Sequence, residues 1–224
     1  MKDKISILAI ETSSKLCSVA LGIDGILISE YTVYKENSQD KELAELSRKI
    51  VFDNGLSFAD LSAIAISAGP GSFTGLRIGA GFAKGLCFDG KTKLIAIPTL
   101  LALVSSLKSI RDISGYREVW GVIHSHKDLF YAQKFDNMLN PISEPSLITE
   151  SEIHSQETDD SLLVINYLGD NANIFGNYQI NSLKSNVLIG LGFDYYNESI
   201  FVDADSFIPL YYQDFTVKTK NNII

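Results

Sequence analysis

Cysteine is scarce in this chain of 224 residues: Cys17 and Cys87 are the only two, and no Cys-x-x-Cys pair exists. The plain reading is two buried free thiols in a reducing compartment. Long apolar runs are missing as well. The greasiest region, residues 94–104, is interrupted by Pro98 and falls short of the roughly 20 residues that cross a bilayer. The charged start Met1-Lys2-Asp3-Lys4 leads into a short apolar stretch, which does not make a signal peptide. A cytoplasmic protein with no membrane contact is expected. Basic clusters are also lacking. Lysine and arginine total 19 against 27 acidic residues, for a net charge of −8, and the cations are scattered. A chain that holds nucleic acid needs a basic face, so any such role has to run through a more basic partner.

Several catalytic signatures are absent too. No Gly-x4-Gly-Lys-Ser/Thr loop occurs, and no helical His-x-x-x-His pair. No serine stands in a readable relay with histidine and a carboxylate, so a hydrolase triad is not expected. His124 and His126 would share a face on an extended strand and could bind zinc together. Asp128 is the only close carboxylate and His154 is distant in sequence. The pair reads as two surface histidines at a strand end, with no metal site.

What is present is a sheet protein punctuated by helices. The 46% apolar content fits a globular chain with a sizeable core. Residues 5–10, 16–23 and 26–34 read as three strands, the last two joined by a two-residue turn at Asp24-Gly25. Asn37 or Ser38 caps a helix over residues 39–52 that turns Leu43, Leu46 and Ile50 to the core and ends at Asn54-Gly55. A strand to Ser67, a glycine-rich helix to about residue 88, a strand 94–97 and a helix 99–110 follow. The second half repeats the order more loosely, with strands at 118–123, 129–135, near 147–149 and at 162–166. A weak helix is expected at 150–156. Gly169-Asp170 is a turn entering a helix, and a last apolar patch lies at 207–215. The reading is a mixed α/β protein in two lobes, 1–110 and a shorter 111–224, each a mixed sheet flanked by helices.

The most unusual stretch is Gly69-Pro70-Gly71-Ser72-Phe73-Thr74-Gly75-Leu76-Arg77-Ile78-Gly79-Ala80-Gly81. Glycine inside a helix costs about 1 kcal/mol against alanine, so Gly75, Gly79, Gly81 and Gly85 need a reason. Strand, glycine turn and helix is the layout of a phosphate loop, but Thr74 stands where a dinucleotide fingerprint has glycine. A ligand loop, a tight helix contact with another chain, and close packing inside the lobe all remain open from the residues alone.

The motifs Ile7-Leu8-Ala9-Ile10-Glu11-Thr12-Ser13, Cys17-Ser18-Val19-Ala20-Leu21, the glycine-rich stretch and Pro98-Thr99-Leu100 together resemble the TsaB (YeaZ) family. That family belongs to the actin/Hsp70/sugar-kinase superfamily, called ASKHA, whose lobes have a ribonuclease H-like fold. The likeness is dense over the first ~110 residues and loose thereafter. It implies a non-catalytic partner subunit in the formation of N6-threonylcarbamoyladenosine at position 37 of tRNA. It further implies pairing with a TsaD-type catalytic paralogue, contact with a TsaE-type ATPase, and self-association. Contact with tRNA would come only through the complex.

On this resemblance the partner surface comprises Leu43, Leu46, Ser72, Phe73, Thr74, Gly75, Arg77, Ile78, Gly79 and Phe82, which favours the helix-contact account of the glycines. Glu11, Thr12, Ser13, Gly169 and Asp170 would outline a vestigial nucleotide cleft. No catalytic residue, metal or cofactor of its own is implied, with ATP or ADP, if any, at the subunit joint. Family members usually carry Asp-Ala-Arg where this chain has His124-Ser125-His126, and many carry histidine where Asn37 stands. The rival reading is a self-contained small-molecule phosphotransferase or ATPase using Glu11; a metallopeptidase-like protein ranks below it.

Overall fold

The apolar run that opens the chain forms the centre of a sheet. In the computed structural model, which describes residues 4–35, 38–109, 113–166, 178–179 and 183–210, strand β1 (Ser6–Glu11) is buried along its whole length. A strand covered on both faces can be apolar at every position, which explains why Ile7 to Ile10 do not alternate with polar residues. β2 (Cys17–Ile23) pairs antiparallel with β1, and β3 (Ile26–Val33) antiparallel with β2. Asp24 and Gly25 close this hairpin with φ of 50° and 78°, the primed-turn geometry that matches strand twist.

Helix α1 (Gln39–Asp53) lays Leu43, Ser47, Ile50 and Val51 against the sheet. It ends where Gly55, at φ 72°, donates its N–H to the Phe52 carbonyl at 3.0 Å, a left-handed cap. Ser38 takes the N-cap position, but its hydroxyl donates back to the Lys35 carbonyl instead of capping; Asn37 lies outside the described residues. β4 (Ala63–Ser67) and β5 (Lys93–Ile97) add in parallel on the other side of β1, with α2 (Phe73–Leu86) as the crossover between them. The first sheet therefore runs β3-β2-β1-β4-β5.

The second sheet repeats this plan. β6 (Glu118–His126), β7 (Leu129–Asp136), β8 (Ser146–Thr149), β9 (Ser161–Asn166) and β10 (Tyr178–Gln179) lie in the order β10-β9-β6-β7-β8. β6 corresponds to β1, with an antiparallel neighbour on one side and a parallel one on the other. Helix α4 (Glu150–Gln156) begins with a reciprocal cap, Thr149 Oγ1 accepting from Glu152 N–H while the Glu152 carboxylate takes the Thr149 N–H.

Packing crosses the expected boundary at residue 110 in both directions. Helix α3 (Thr99–Ser105) follows the first sheet in sequence, yet Leu100, Leu103 and Val104 join a core with Val119, Ile123, Leu162 and Val164 of the second. Helix α5 (Val187–Asn197) follows the second sheet, yet Leu188 and Ile189 are buried with Ile7, Ala9, Ala65 and Ile95 of the first. Each lobe thus borrows a helix that the other lobe's segment supplies. Gly121 in β6 and Gly192 in α5 mark the close approaches: an added Cβ would lie 3.0 Å from the Leu100 carbonyl oxygen and 3.1 Å from Ala65 Cβ respectively.

Helix α5 is not expected from the sequence. Val187, Ile189, Gly190 and Gly192 in its first half are weak helix formers, and the segment is apolar on nearly every side, so no 3.6-residue period shows. The Gly169-Asp170 turn, and the part of the 207–215 patch beyond residue 210, lie outside the described residues. Among the described residues no helix is long and apolar enough to span a membrane.

Candidate functional site

Two regions carry the residues singled out by the sequence: the corner after β1 and the outer face of α1 and α2. At the corner, Glu11 is completely buried. The Ser13 N–H donates to its Oε1 at 2.6 Å, the Ser13 hydroxyl donates to the same oxygen, and the Ser67 hydroxyl donates to Oε2. Burial pushes the carboxyl above its ordinary value, against the pull of those three donors. Thr12 and Ser13 are buried beside it.

The glycine-rich helix closes this corner. A Cβ on Gly75 would overlap the Thr12 carbonyl oxygen, one on Gly79 would overlap Thr12 Oγ1, and one on Gly71 would lie 2.6 Å from the Ser13 carbonyl oxygen. The Ser72 N–H is already given to the Ser13 carbonyl at 2.7 Å, and the Ser72 hydroxyl accepts from Gly75 N–H at 3.2 Å. The loop's close approaches are therefore made to its own lobe. Gly75, Gly79 and Leu43 are buried there, so the small-residue stripe that the sequence suggests as a meeting face is an internal seam.

Among its described strands the second lobe does not mirror Glu11. In the first lobe Ile10 pairs with Ile66, which sets Glu11 beside Ser67, the last residue of β4. In the second, the last residue of β9 is Asn166, and its partner on β6 is Ile123. Ile123 is buried, and among the described residues Asn166 Oδ1 has no hydrogen-bond partner. Among the described residues neither β6 nor β9 carries at that end a carboxylate to oppose Glu11, as a clamp on a metal-bound phosphate would need. Gly169 and Asp170, the expected remainder of the cleft, lie outside the described residues.

His124 is not on the surface. It is 9% exposed, its Nε2 lies 2.9 Å from the Lys127 carbonyl, and its ring leans on Phe130 at 5.1 Å between centroids. A register shift between His124 and His126 leaves His126 exposed, so the two do not share a face as a regular strand would make them. Among the described residues no group of three histidine, cysteine or acidic side chains could hold a metal.

The outer face of the helix pair is different in kind. α1 and α2 lie side by side over the first sheet. Thr74, Arg77, Gly81 and Gly85 are exposed along α2, and Leu46, Phe73, Ile78 and Phe82 are half-buried. The Arg77 guanidinium covers the Phe73 ring at 3.9 Å, a contact that desolvates the ring while leaving the cation at the surface. Nothing lies within 4 Å of a Cβ placed on Gly81 or Gly85, so these two open a shallow backbone strip. Phe52, 51% exposed, and Phe88, 85% exposed, stand at the C-terminal ends of the two helices. Sequence reasoning did not select either one. The signal was there in the phase, since Phe52 falls off the stripe set by Leu43, Ser47 and Ile50.

The chain is similar to known proteins over its first half in sequence and over most of its length in fold. A sequence model of the family TsaD: tRNA N6-adenosine threonylcarbamoyltransferase matches residues 36–116. The chain is 38% identical over 98 residues to the tRNA threonylcarbamoyladenosine biosynthesis protein TsaB of Escherichia coli (strain K12), covering 43% of this chain and 42% of that protein. It is 37% identical over 107 residues to the Haemophilus influenzae protein of the same name, covering 46% and 44%. The chain thus matches less than half the length of each of these two relatives. In fold it follows YeaZ from Pseudomonas aeruginosa, with a TM-score of 0.77 at 20% identity over 92% of this chain and 99% of the other.

Proposed function

We propose that this chain, a TsaB/YeaZ-type protein by its fold and by the sequence of its first half, is a subunit of the machinery that makes threonylcarbamoyladenosine in tRNA. In this reading it is a non-catalytic partner in the cytoplasm. It docks on a TsaD-type catalytic paralogue, works with a TsaE-type ATPase, and meets tRNA through that complex alone. Any ATP or ADP sits at the subunit joint.

The observation that carries the reading is the contrast between the two regions of the first lobe. The corner that would cradle a phosphate is filled by the chain's own Thr12, Ser13, Gly71 and Gly75 contacts. The outer face of α2, by contrast, presents an arginine, two open glycines and flanking aromatics. Arginine and aromatic side chains around a close-approach strip are what protein interfaces favour at their centres. The acidic chain, at net −8, supports a partner that supplies the basic surface for tRNA.

The test is reconstitution. The TsaD-type and TsaE-type proteins of the same source, with ATP, an activated threonylcarbamoyl donor and tRNA, should yield the modified nucleoside only when this chain is added. Glu11→Gln should support the same yield. Full modification without the chain would refute the reading. Loss of activity in a Glu11→Gln variant that folds and still binds the partner would shift it to a chain with chemistry of its own.

A further inference from the structure

Helix α2 is held on two flanks. On one lies α1; on the other, beyond the edge strand β5, runs residues 201–210. This segment begins by bridging to β5, the Val202 N–H donating to the Leu94 carbonyl at 3.0 Å. It then crosses the C-terminal half of α2, where Lys84 Nζ donates to the Asp205 carbonyl at 3.1 Å. A turn at Asp203–Ser206, with the Phe207 N–H on the Asp203 carbonyl at 3.0 Å, directs Phe207 onto the core beneath α2. By residue 210 the segment has reached the other end of the helix. There the Leu210 N–H donates to the Ala68 carbonyl at 2.7 Å, in the loop that seats the first turn of α2.

Gly69 shows how tight that last contact is. Its φ of +105° is a conformation that side chains rarely adopt, and an added Cβ would lie 2.5 Å from the Leu210 carbonyl oxygen. The first half of the segment is less closely fitted: Phe201–Asp205 line a cavity of about 320 Å³ together with Cys87, Phe88 and Thr92. The segment is thus held at Val202, at Asp205 by Lys84, at Leu210 and by one aromatic anchor, with open space along its first half.

We propose that residues 201–210 are a strap that fixes the position of α2 and thereby the geometry of the exposed face on that helix. The proposal rests on the reading of that face as the partner surface, but its first consequence belongs to the free protein. A strap held at a few points can open locally while the sheet and α5 stay folded. Opening frees the Ala68–Gly69 loop and with it the first turn of α2, where Ser72 caps Gly75. A partner that needs α2 in place then meets a smaller competent fraction, and its affinity falls by that fraction.

Two variants outside the exposed face test this: Gly69→Ala, which drives a side chain into Leu210, and Phe207→Ala, which removes the anchor. Native-state hydrogen exchange and affinity for the TsaD-type paralogue are read on both. Amides in the first turns of α2 should exchange at least about tenfold faster than in the parent protein, while those of β1 and α5 hold their rates. Partner affinity should fall by about the same factor. Unchanged exchange in α2, or acceleration spread evenly over the lobe, overturns the strap. Selective loosening of α2 with unchanged affinity overturns its link to the surface. If the parent protein itself binds no partner, the partner reading fails, and the exchange comparison still decides whether the strap holds α2.

Discussion

Gly79 and Thr12 meet with no room for a Cβ between them: one built on Gly79 would overlap Thr12 Oγ1. One turn earlier, a Cβ on Gly75 would overlap the Thr12 main-chain carbonyl. The two contacts make the glycine-rich helix a lid on its own sheet, and they separate two classes of glycine on one helix.

The first prediction follows from that separation. Gly79→Ala should destabilise the protein by about 1–3 kcal/mol through overpacking. Gly75→Ala should cost more, because a backbone carbonyl cannot rotate away as a threonine side chain can. Gly81→Ala and Gly85→Ala meet nothing and should gain up to about 1 kcal/mol of helix propensity. Urea unfolding midpoints of the four variants give the order; equal effects at all four would remove the distinction between seam and surface.

A second prediction concerns Glu11. Burial raises its folded-state value above the ordinary 4.5, so the folded state binds the proton more tightly than the unfolded chain does. Its contribution is fully present below the ordinary value and is lost as pH rises through the folded value. The stability difference between the parent and Glu11→Gln should therefore shift in favour of the variant as pH rises from 4.5. Unfolding curves for both proteins over that range check the sign, and a flat difference would mean that the carboxyl titrates alike in both states.

The thiols supply a third. Burial pushes Cys17 up to about 12 and Cys87 up to about 11, and the thiolate is the reactive form. Neither should react with a disulfide reagent at pH 8 on the time scale of a surface cysteine, and both should react at once in denaturant. A fast native-state phase would place one of them at the surface.

A fourth tests the exchanged helices. A fragment ending at residue 110 lacks α5, and would expose the face of Ile7, Ala9, Ala65 and Ile95 that α5 covers. It should fail to unfold cooperatively by calorimetry, despite holding all five strands of the first sheet. In the full chain, Ile189→Ala should cost about 2–5 kcal/mol, because this buried side chain sits directly on Gly22. A cooperative fragment would show that the first lobe is self-sufficient.

Much of this architecture can be read from local sequence, and the exceptions have physical causes. The hairpin at Asp24-Gly25, the stripe of α1 and the strands at 64–67, 94–97 and 118–123 are set by turn chemistry and periodicity, and each is found within a few residues of its expected place. Helix α5 and the exchange of α3 and α5 depend on contacts between segments far apart in sequence, which no local pattern records. At the site, Arg77 and Thr74 are surface residues as expected. The direction of the Gly75–Gly79 stripe could not be read, because a small-residue seam looks the same whether it faces its own sheet or another chain. Phe52 and Phe88 were passed over because an aromatic at a helix end counts toward the core by default. His126 is turned out to solvent by a register shift that sequence does not announce, while His124 keeps its pairing with Phe130 and stays buried.

The most direct test of the partner reading is light scattering behind size exclusion on this chain mixed with the TsaD-type subunit of the same source. The account predicts a one-to-one complex that Arg77→Glu abolishes, while that variant unfolds within about 0.5 kcal/mol of the parent, as a surface substitution should. A complex that survives Arg77→Glu and a bulky replacement at Gly81 would contradict the placement of the surface on α2. No complex at micromolar concentration, with ATP and the TsaE-type ATPase present, would contradict the partner role itself.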